Sequence, residues 1–406
     1  MKHFIYLSTI ILSLFVSSCS KSTFLAVKGT GKTIRLALKD NRLSKKEIIT
    51  YNYEKHPFVL HSSRILLPCV IDGIADTLFF DTGYNGNLQE QISSPDSFPM
   101  KPILTQSYTT FSGKKWIKRG LSVHTVETPW VEIKNHVCMV ICNNFQIKEH
   151  CEGKGKMDYR LVGLSMLPNY YQTLCLNFSD STIQILDSNT IYDTTGYHRV
   201  PALFCSRDGT QHYNIPRITL QIDSMDVDFL FDTGAGLCLA VKGYASHAKE
   251  NDIACTGKIG RDASGIVTDT TYLQSAYIPT FSNDTDSVWI CYMQNISLNV
   301  MGLEFISCYD WIIDRKQEKM FAKRVAYKNC NIHEVPLYGV GTDNDTTLII
   351  TRVPYPNPNG YPIGSIISTV NGENVSKDNI CEMKRLLSST VDWSTLKITT
   401  RHPDNK

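Results

Sequence analysis

The chain has 406 residues, with 41 Lys+Arg against 39 Asp+Glu and a formal charge of +2. Its length accommodates two or three domains. The near-neutral balance, without a long basic block, gives no sign of a nucleic-acid partner.

The N-terminus comes first in chain order. Lys2 precedes an apolar run from Phe4 to Val16, broken only by Ser8, Thr9 and Ser13. A bilayer-spanning helix needs about 20 apolar residues, so this shorter run predicts a secretory signal over residues 1–18. It ends in Val16-Ser17-Ser18-Cys19, which resembles a bacterial lipobox. The resemblance implies cleavage before Cys19 and acylation of its thiol. Several acyl chains would then hold the protein at a membrane of the bacterial cell envelope, periplasmic or surface-facing. Plain secretion with an incidental Cys19 is the alternative. Removal of residues 1–18 takes away Lys2 and leaves a side-chain charge of +1. Of the 13 cysteines, those beyond Cys19 form an even set, which in an exported protein permits disulfides or buried thiols.

Residues 19–54 form an anchor and N-terminal segment. The next elements come in two similar series, assigned to lobe one (residues 55–190) and to a linker plus lobe two (residues 191–330). Lobe one opens with Phe58-Val59-Leu60 and a strand from Ile65 to Ile71. Asp72-Gly73 turns the chain, and Thr77 to Phe80 leads into Asp81. Lobe two opens with Ile215 to Ile222, turns at Asp223-Ser224, and runs from Val227 to Phe231 into Asp232. Ile218, Leu220 and Ile222 alternate with polar residues, as in a half-buried strand. Leu161 to Leu167, Leu174 to Phe178 and Thr182 to Leu186 close the first series. Val300 to Ile306, Trp311 to Asp314 and Lys319 to Ala322 close the second. A repeat this long predicts duplicated domains rather than a solenoid. Residues 187–212 are expected to connect the lobes.

The sequence Phe-Asp-Thr-Gly occurs at residues 80–83 and again at 231–234, each time after a strand-like run. Gly83 and Gly234 permit a tight turn. Thr82 and Thr233 carry hydroxyls able to bond backbone across an interface. Two carboxyls a few ångströms apart share a proton, so one can take a proton from water while the other donates to a carbonyl oxygen. This chemistry needs no metal or cofactor.

With these triplets the chain resembles the aspartic peptidases of the retropepsin and pepsin superfamily, with two lobes fused in one chain. The likeness covers about residues 55–325. It implies two β-barrel lobes related by pseudo-twofold symmetry. It also implies Asp81 and Asp232 as catalytic residues, with Thr82 and Thr233 cross-bonding beneath them. Gly163 and Gly302, each after two apolar residues, match the glycines that brace the catalytic loops. The chain departs from the pattern beyond the triplets: loop one continues Tyr84-Asn85, where Asn85 can still hydrogen-bond, and loop two continues Ala235-Gly236. Flaps over the cleft are expected at Thr109 to Trp116 and Gly257 to Gly265. The substrate implied is an extended polypeptide.

Residues 331–406 change character. They hold a turn-rich Tyr355 to Gly360 stretch, a strand from Gly364 to Val370, an Asn371-Gly372 turn, a helix from Ile380 to Leu387 and a last strand from Leu396 to Thr400. This segment resembles the PDZ domains of bacterial exported proteases, a small α+β fold. The resemblance makes Gly339, Val340 and Gly341 a carboxylate-binding loop for a C-terminal peptide ligand. A lipid-anchored peptide-binding or scaffolding protein with a degenerate cleft is the competing functional reading, and Gly236 is the residue that favours it.

Overall fold

The computed structural model describes residues 48–61, 63–84, 88–92, 104–142, 160–164, 173–187, 189–209, 212–222, 224–243, 253–262, 265–279, 281, 285–325, 337–344 and 346–401. The signal segment, Cys19 and Asn85 lie outside them. Through the first repeat the strands are β1 (Ile48–Tyr51), β2 (His56–Pro57), β3 (Val59–His61), β4 (Arg64–Ile71), β5 (Ile74–Phe80) and β6 (Leu88–Ile92). They continue with β7 (Leu104–Thr110), β8 (Gly113–Glu127), β9 (Val131–Cys142), β10 (Arg160–Val162), β11 (Thr173–Asn177) and β12 (Thr182–Leu186). The connector carries β13 (His198–Val200) and β14 (Ala202–Cys205). The second repeat holds β15 (His212–Ile222), β16 (Met225–Phe231), β17 (Leu239–Lys242), β18 (Ile253–Asp262), β19 (Gly265–Pro279) and β20 (Thr285–Met293). It ends with β21 (Val300–Met301), the single-turn helix α1 (Leu303–Ile306), β22 (Tyr309–Asp314) and β23 (Lys319–Arg324). The C-terminal unit contains β24 (Gly339–Asn344), β25 (Thr347–Tyr355), β26 (Ile366–Val370), β27 (Glu373–Asn374), α2 (Ile380–Ser389) and β28 (Ile398–Arg401).

The fold is mainly β, and the described strands form three sheets. The duplicated strand-turn-strand units form as the sequence predicts. In β4, Ile65, Leu67, Cys69 and Ile71 point inward while their neighbours are more exposed. Burial of each aliphatic side chain of this kind contributes about 1.5–3 kcal/mol. Asp72 and Gly73 both take positive φ, at 52° and 81°, the backbone of a two-residue hairpin turn. Ser224 turns the second unit with φ of 67°.

Each repeat then adds a parallel partner to the strand that ends at the acid. β10 pairs in parallel with β5, Val162 opposite Phe80, and β21 pairs in parallel with β16, Met301 opposite Phe231. The strand order β9-β6-β10-β5-β4 in the first repeat matches β20-β17-β21-β16-β15 in the second. The closing strands of both repeats meet in a shared sheet of order β13-β23-β22-β11-β12-β2, where Leu174 faces Ile313 and Cys175 faces Ile312. One apolar core runs through both repeats, with Trp130 edge-on to Phe80 and Trp311 edge-on to Phe231.

The segment that connects the repeats carries strands of its own: Val200 is buried and β13 pairs with β23, while β14 extends the sheet beside β15. The nine cysteines whose side chains are described form no disulfide among themselves; seven lie on strands or α2, and Cys238 and Cys308 lie in turns. Burial pushes the thiols of Cys69 and Cys175 up to about 12, which keeps them unreactive.

The C-terminal unit has its own core of Tyr338, Leu348, Ile350, Val353, Ile367, Val370, Ile380, Met383, Leu387 and Trp393. Tyr338 stacks on Trp393, and the Trp393 indole N–H donates to Leu387 O at 3.1 Å. Its sheet is continuous with that of the second repeat, because β25 pairs with β18.

Candidate functional site

Asp81 and Asp232 each stand one residue beyond a buried strand, and the parallel partner strand fixes each backbone. Asp81 N donates to Val162 O at 2.9 Å, and Asp232 N donates to Met301 O at 3.0 Å. Beneath them the two threonines are wholly buried and bonded crosswise. Thr82 N donates to Thr233 Oγ1 and Thr233 N to Thr82 Oγ1, both at 2.9 Å. Thr82 Oγ1 then donates to Phe231 O at 2.8 Å, and Thr233 Oγ1 to Phe80 O at 3.1 Å. Four hydrogen bonds therefore tie two turns that lie 151 residues apart in sequence.

The result brings the two carboxyls together. A Cβ added to Gly83 would overlap the Asp232 carboxyl, and one added to Gly234 would overlap that of Asp81. Each glycine thus faces the acid of the opposite turn, and only glycine leaves room for it. The two carboxyls therefore converge on the same place between the turns. Burial, together with the charge of Asp232 and the bond to it, holds Asp81 well above the usual carboxylate range. Burial also raises Asp232, but there the bonds from Asp81, Gly234, Ala235 and Gly83 act in the opposite sense. Gly234 N donates to Asp232 Oδ1 at 2.8 Å, and Tyr84 N donates to Asp81 Oδ1 at 3.1 Å. Both acids are thus raised by burial, and the pair holds one proton between them more readily than two charges. Both residues remain partly exposed.

No protein-family model matches the chain, and no curated protein matches it either.

The two glycines after the closing strands take comparable places. Gly302 N donates to Cys238 O at 2.8 Å and Leu303 N to Ala235 O at 2.7 Å, while a Cβ at Gly302 would come within 2.7 Å of Ala235 O. Gly163 is buried, and the next residue, Leu164, donates its N–H to Tyr84 O at 3.2 Å. In both repeats the backbone past the glycine thus ties down the loop that follows the acid. At Gly236 an added Cβ would lie 3.0 Å from Ser63 Cβ, so Ser63 fills the space beside that glycine.

The two expected flap segments are β-hairpins, β7–β8 and β18–β19. The first reaches across to the second repeat. Ser297 N donates to Phe111 O at 2.8 Å, and Ser297 Oγ donates to Thr110 O at 2.9 Å. Phe111, like Ala235, Leu237 and Ile259, packs against a buried group of Ala240, Met293, Ile296 and Val300. Neither Phe111 nor Ser297 stood out in the sequence. An aromatic residue at the head of the Ser112-Gly113 turn was the available signal.

Gly339, Val340 and Gly341 do not form a loop. They begin β24 and pair with Arg352, Ile350 and Ile349, with a bulge between the first two. The glycines let the strands close up: a Cβ at Gly339 would sit 2.9 Å from Arg352 Cβ, and one at Gly341 would sit 3.0 Å from Thr351 Cγ2. They lie far along the chain from the acid pair, in the C-terminal unit.

Proposed function

We propose that the chain is an aspartic endopeptidase that hydrolyses peptide bonds in extended polypeptides through a water held by Asp81 and Asp232. The observation that carries this reading is the pair of carboxyls, each facing the glycine of the opposite turn, above the crossed Thr82 and Thr233 bonds. In the roles we assign, Asp232 is the ionised partner and takes a proton from the water, and the water oxygen attacks the carbonyl carbon. Asp81 donates its proton to the carbonyl oxygen, giving a neutral gem-diol. Collapse of that intermediate returns a proton to Asp81, transfers the proton on Asp232 to the leaving nitrogen and breaks the C–N bond. Fixed backbone donors keep the carboxylates oriented throughout, so little reorganisation is needed during the reaction.

In this reading the two repeats are the lobes of a retropepsin- or pepsin-like peptidase, and residues 331–406 are a PDZ-like domain that takes a peptide C-terminus. Cys19 would carry the lipid that places the enzyme on a membrane of the cell envelope. A lipid-anchored scaffold that holds extended chains without cutting them is the second reading. Gly236 favours it, because loop two offers no side chain at that position to support the carboxylate network.

Cleavage of a peptide library across about pH 3 to 8 tests both. Loss of cleavage in Asp81→Asn and in Asp232→Asn alike supports the shared site. Cleavage surviving in both assigns the activity elsewhere. Tight peptide binding without cleavage by the unaltered protein selects the scaffold.

A further inference from the structure

The first repeat holds a set of charged side chains that the acid-pair chemistry does not use. Glu90, on β6, collects donors from β8 and β10. Its Oε1 accepts from Arg160 Nε at 2.9 Å, and its Oε2 accepts from Ser122 Oγ at 3.0 Å and from His124 Nε2 at 3.2 Å. Arg160 Nη1 pairs in turn with Asp76 on β5. On its other side His124 Nδ1 lies 2.6 Å from Asp72 Oδ2, in the β4–β5 turn. Both imidazole nitrogens therefore face carboxylate oxygens, which only accept. A neutral imidazole has one N–H and bonds one of them; the imidazolium bonds both. The bond to Glu90 raises His124 above its ordinary range against the opposing effect of burial, and the bond to Asp72 adds to it. Two further titratable groups stand nearby. Cys69 on β4 has its thiol pushed up to about 12 by burial and stays neutral, and His136 stands opposite His124 in the β8–β9 register.

This set stands one rung from the Asp81 turn. Val162 O accepts the Asp81 N–H, and Arg160 lies two residues before Val162 on β10. Leu88 pairs with Val162, and Glu90 lies two residues after Leu88 on β6. Residues two apart on a strand share a face, so the Glu90–Arg160 pair continues the row that holds Asp81. The second repeat builds the same rung from uncharged residues. Asn299 lies two residues before Met301, whose carbonyl accepts the Asp232 N–H, and Val241 lies two residues after Leu239, which pairs with Met301. Asn299 Oδ1 accepts from Lys242 N at 2.8 Å, and its Nδ2 donates to Asp228 O at 3.2 Å. A side-chain amide makes such bonds at any ordinary pH. The two acids therefore stand on unlike supports, and only that of Asp81 titrates near neutrality.

We propose that Glu90, Arg160 and His124 are positioning residues for Asp81, and that His124 in its doubly bonded form is the pin that keeps this support closed. Loss of its proton leaves a nitrogen lone pair facing a carboxylate oxygen. One of the two bonds then breaks, and β8 lets go of either β6 or the β4–β5 turn. The Asp81 turn loosens, while the Asp232 turn on its neutral support does not. The proposal rests on the peptidase reading only for what Asp81 does; the titrating support stands apart from it.

Hydrogen exchange of the Asp81 amide, taken relative to the Asp232 amide of the same full chain, reads the support directly, because their acceptors Val162 O and Met301 O are counterparts. NMR of the His124 imidazole follows its titration on the same sample. Between about pH 6 and about pH 9 the relative protection of Asp81 should fall several-fold, with its midpoint at the His124 titration. His124→Gln should hold the ratio at its low value throughout. Asp72→Asn, at an exposed turn position, removes one partner and should move the imidazole titration and the exchange midpoint to lower pH together, even if His124→Gln fails to fold. A His124 that is neutral at about pH 6 or still protonated at about pH 9 would overturn the proposal. So would a flat ratio, or a midpoint that stays in place while the imidazole titration moves. Peptide cleavage is scored separately: an unaltered protein that cuts nothing sinks the peptidase, while the exchange ratio still decides the support.

Discussion

Thr82 and Thr233 each accept the other's backbone amide on the side-chain hydroxyl, at the same 2.9 Å. Because both residues are wholly buried, neither amide has water to fall back on, and the pair fixes how the repeats face each other.

Thr82→Ala leaves Thr233 N and Phe231 O buried without their partner and should destabilise the protein by about 2–4 kcal/mol in chemical denaturation. Thr82→Ser keeps the hydroxyl and should cost about 1 kcal/mol, for the lost methyl alone. Equal losses in the two variants would mean that packing, not the crossed bonds, joins the turns.

Gly83→Ala and Gly234→Ala place a methyl where the opposite carboxyl stands. The acids must then move apart by about an ångström, a displacement that costs on the order of 100-fold in catalysis. The measurement is kcat/KM for a cleavable peptide. Near-normal turnover in either variant would contradict the face-to-face arrangement as the source of activity.

The acid pair should give a bell-shaped pH dependence of peptide cleavage. Activity needs one proton on the pair, so it falls at low pH when both acids are protonated and at high pH when both ionise. Stability follows the same titration. Asp81 is raised well above its ordinary 3.8, so its contribution is complete below that value and is lost as pH rises through the raised one. Asp81→Asn removes the burden of a second charge. Its melting temperature relative to the unaltered protein should therefore be more favourable at pH 8 than at pH 4. An equal difference at both values would show that Asp81 titrates normally.

A second ionic cluster lies in the first repeat. Glu90 accepts from Ser122 Oγ at 3.0 Å, His124 Nε2 at 3.2 Å and Arg160 Nε at 2.9 Å, while His124 Nδ1 bonds Asp72 Oδ2 at 2.6 Å. Burial alone would raise Glu90, but the bonds and charges of His124, Ser122 and Arg160 outweigh it and hold the acid at about 2. The bond to Glu90, with that to Asp72, raises His124 despite its burial. The Glu90 contribution is complete above its ordinary 4.5 and fades as pH falls toward about 2. That of His124 is complete below its ordinary 6.5 and fades as pH rises through the raised value. Glu90→Gln should therefore cost most between those two ordinary values, about 2 kcal/mol, with a smaller loss on either side. A pH-independent loss in thermal melting would rule out this ionic account.

The local features of the fold were legible because they are written in neighbouring residues. Asp72-Gly73 and Asn371-Gly372 turn as read, with positive φ at all four positions. The predicted helix starts at Ile380 and runs to Ser389. The doubled Asp-Thr-Gly was legible for the same reason, and the structure places its two acids together. What escaped was pairing between distant segments. Nothing in the period of β18 announces β25 as its neighbour. The short β13, with exposed His198 and Arg199 and only Val200 buried, has too few residues to show alternation. Gly339 and Gly341 suggested a loop, yet their lack of side chains serves a close strand contact instead.

The pairing of β11 with β22 has a consequence for the integrity of the chain. Each repeat contributes closing strands to the other's sheet, while the peptide that joins them passes Ile191, 96% exposed. A protease nick there severs a tether and no part of the shared sheet. The cut protein should run as two bands on a denaturing gel and as one particle in solution, held by its own noncovalent complementarity.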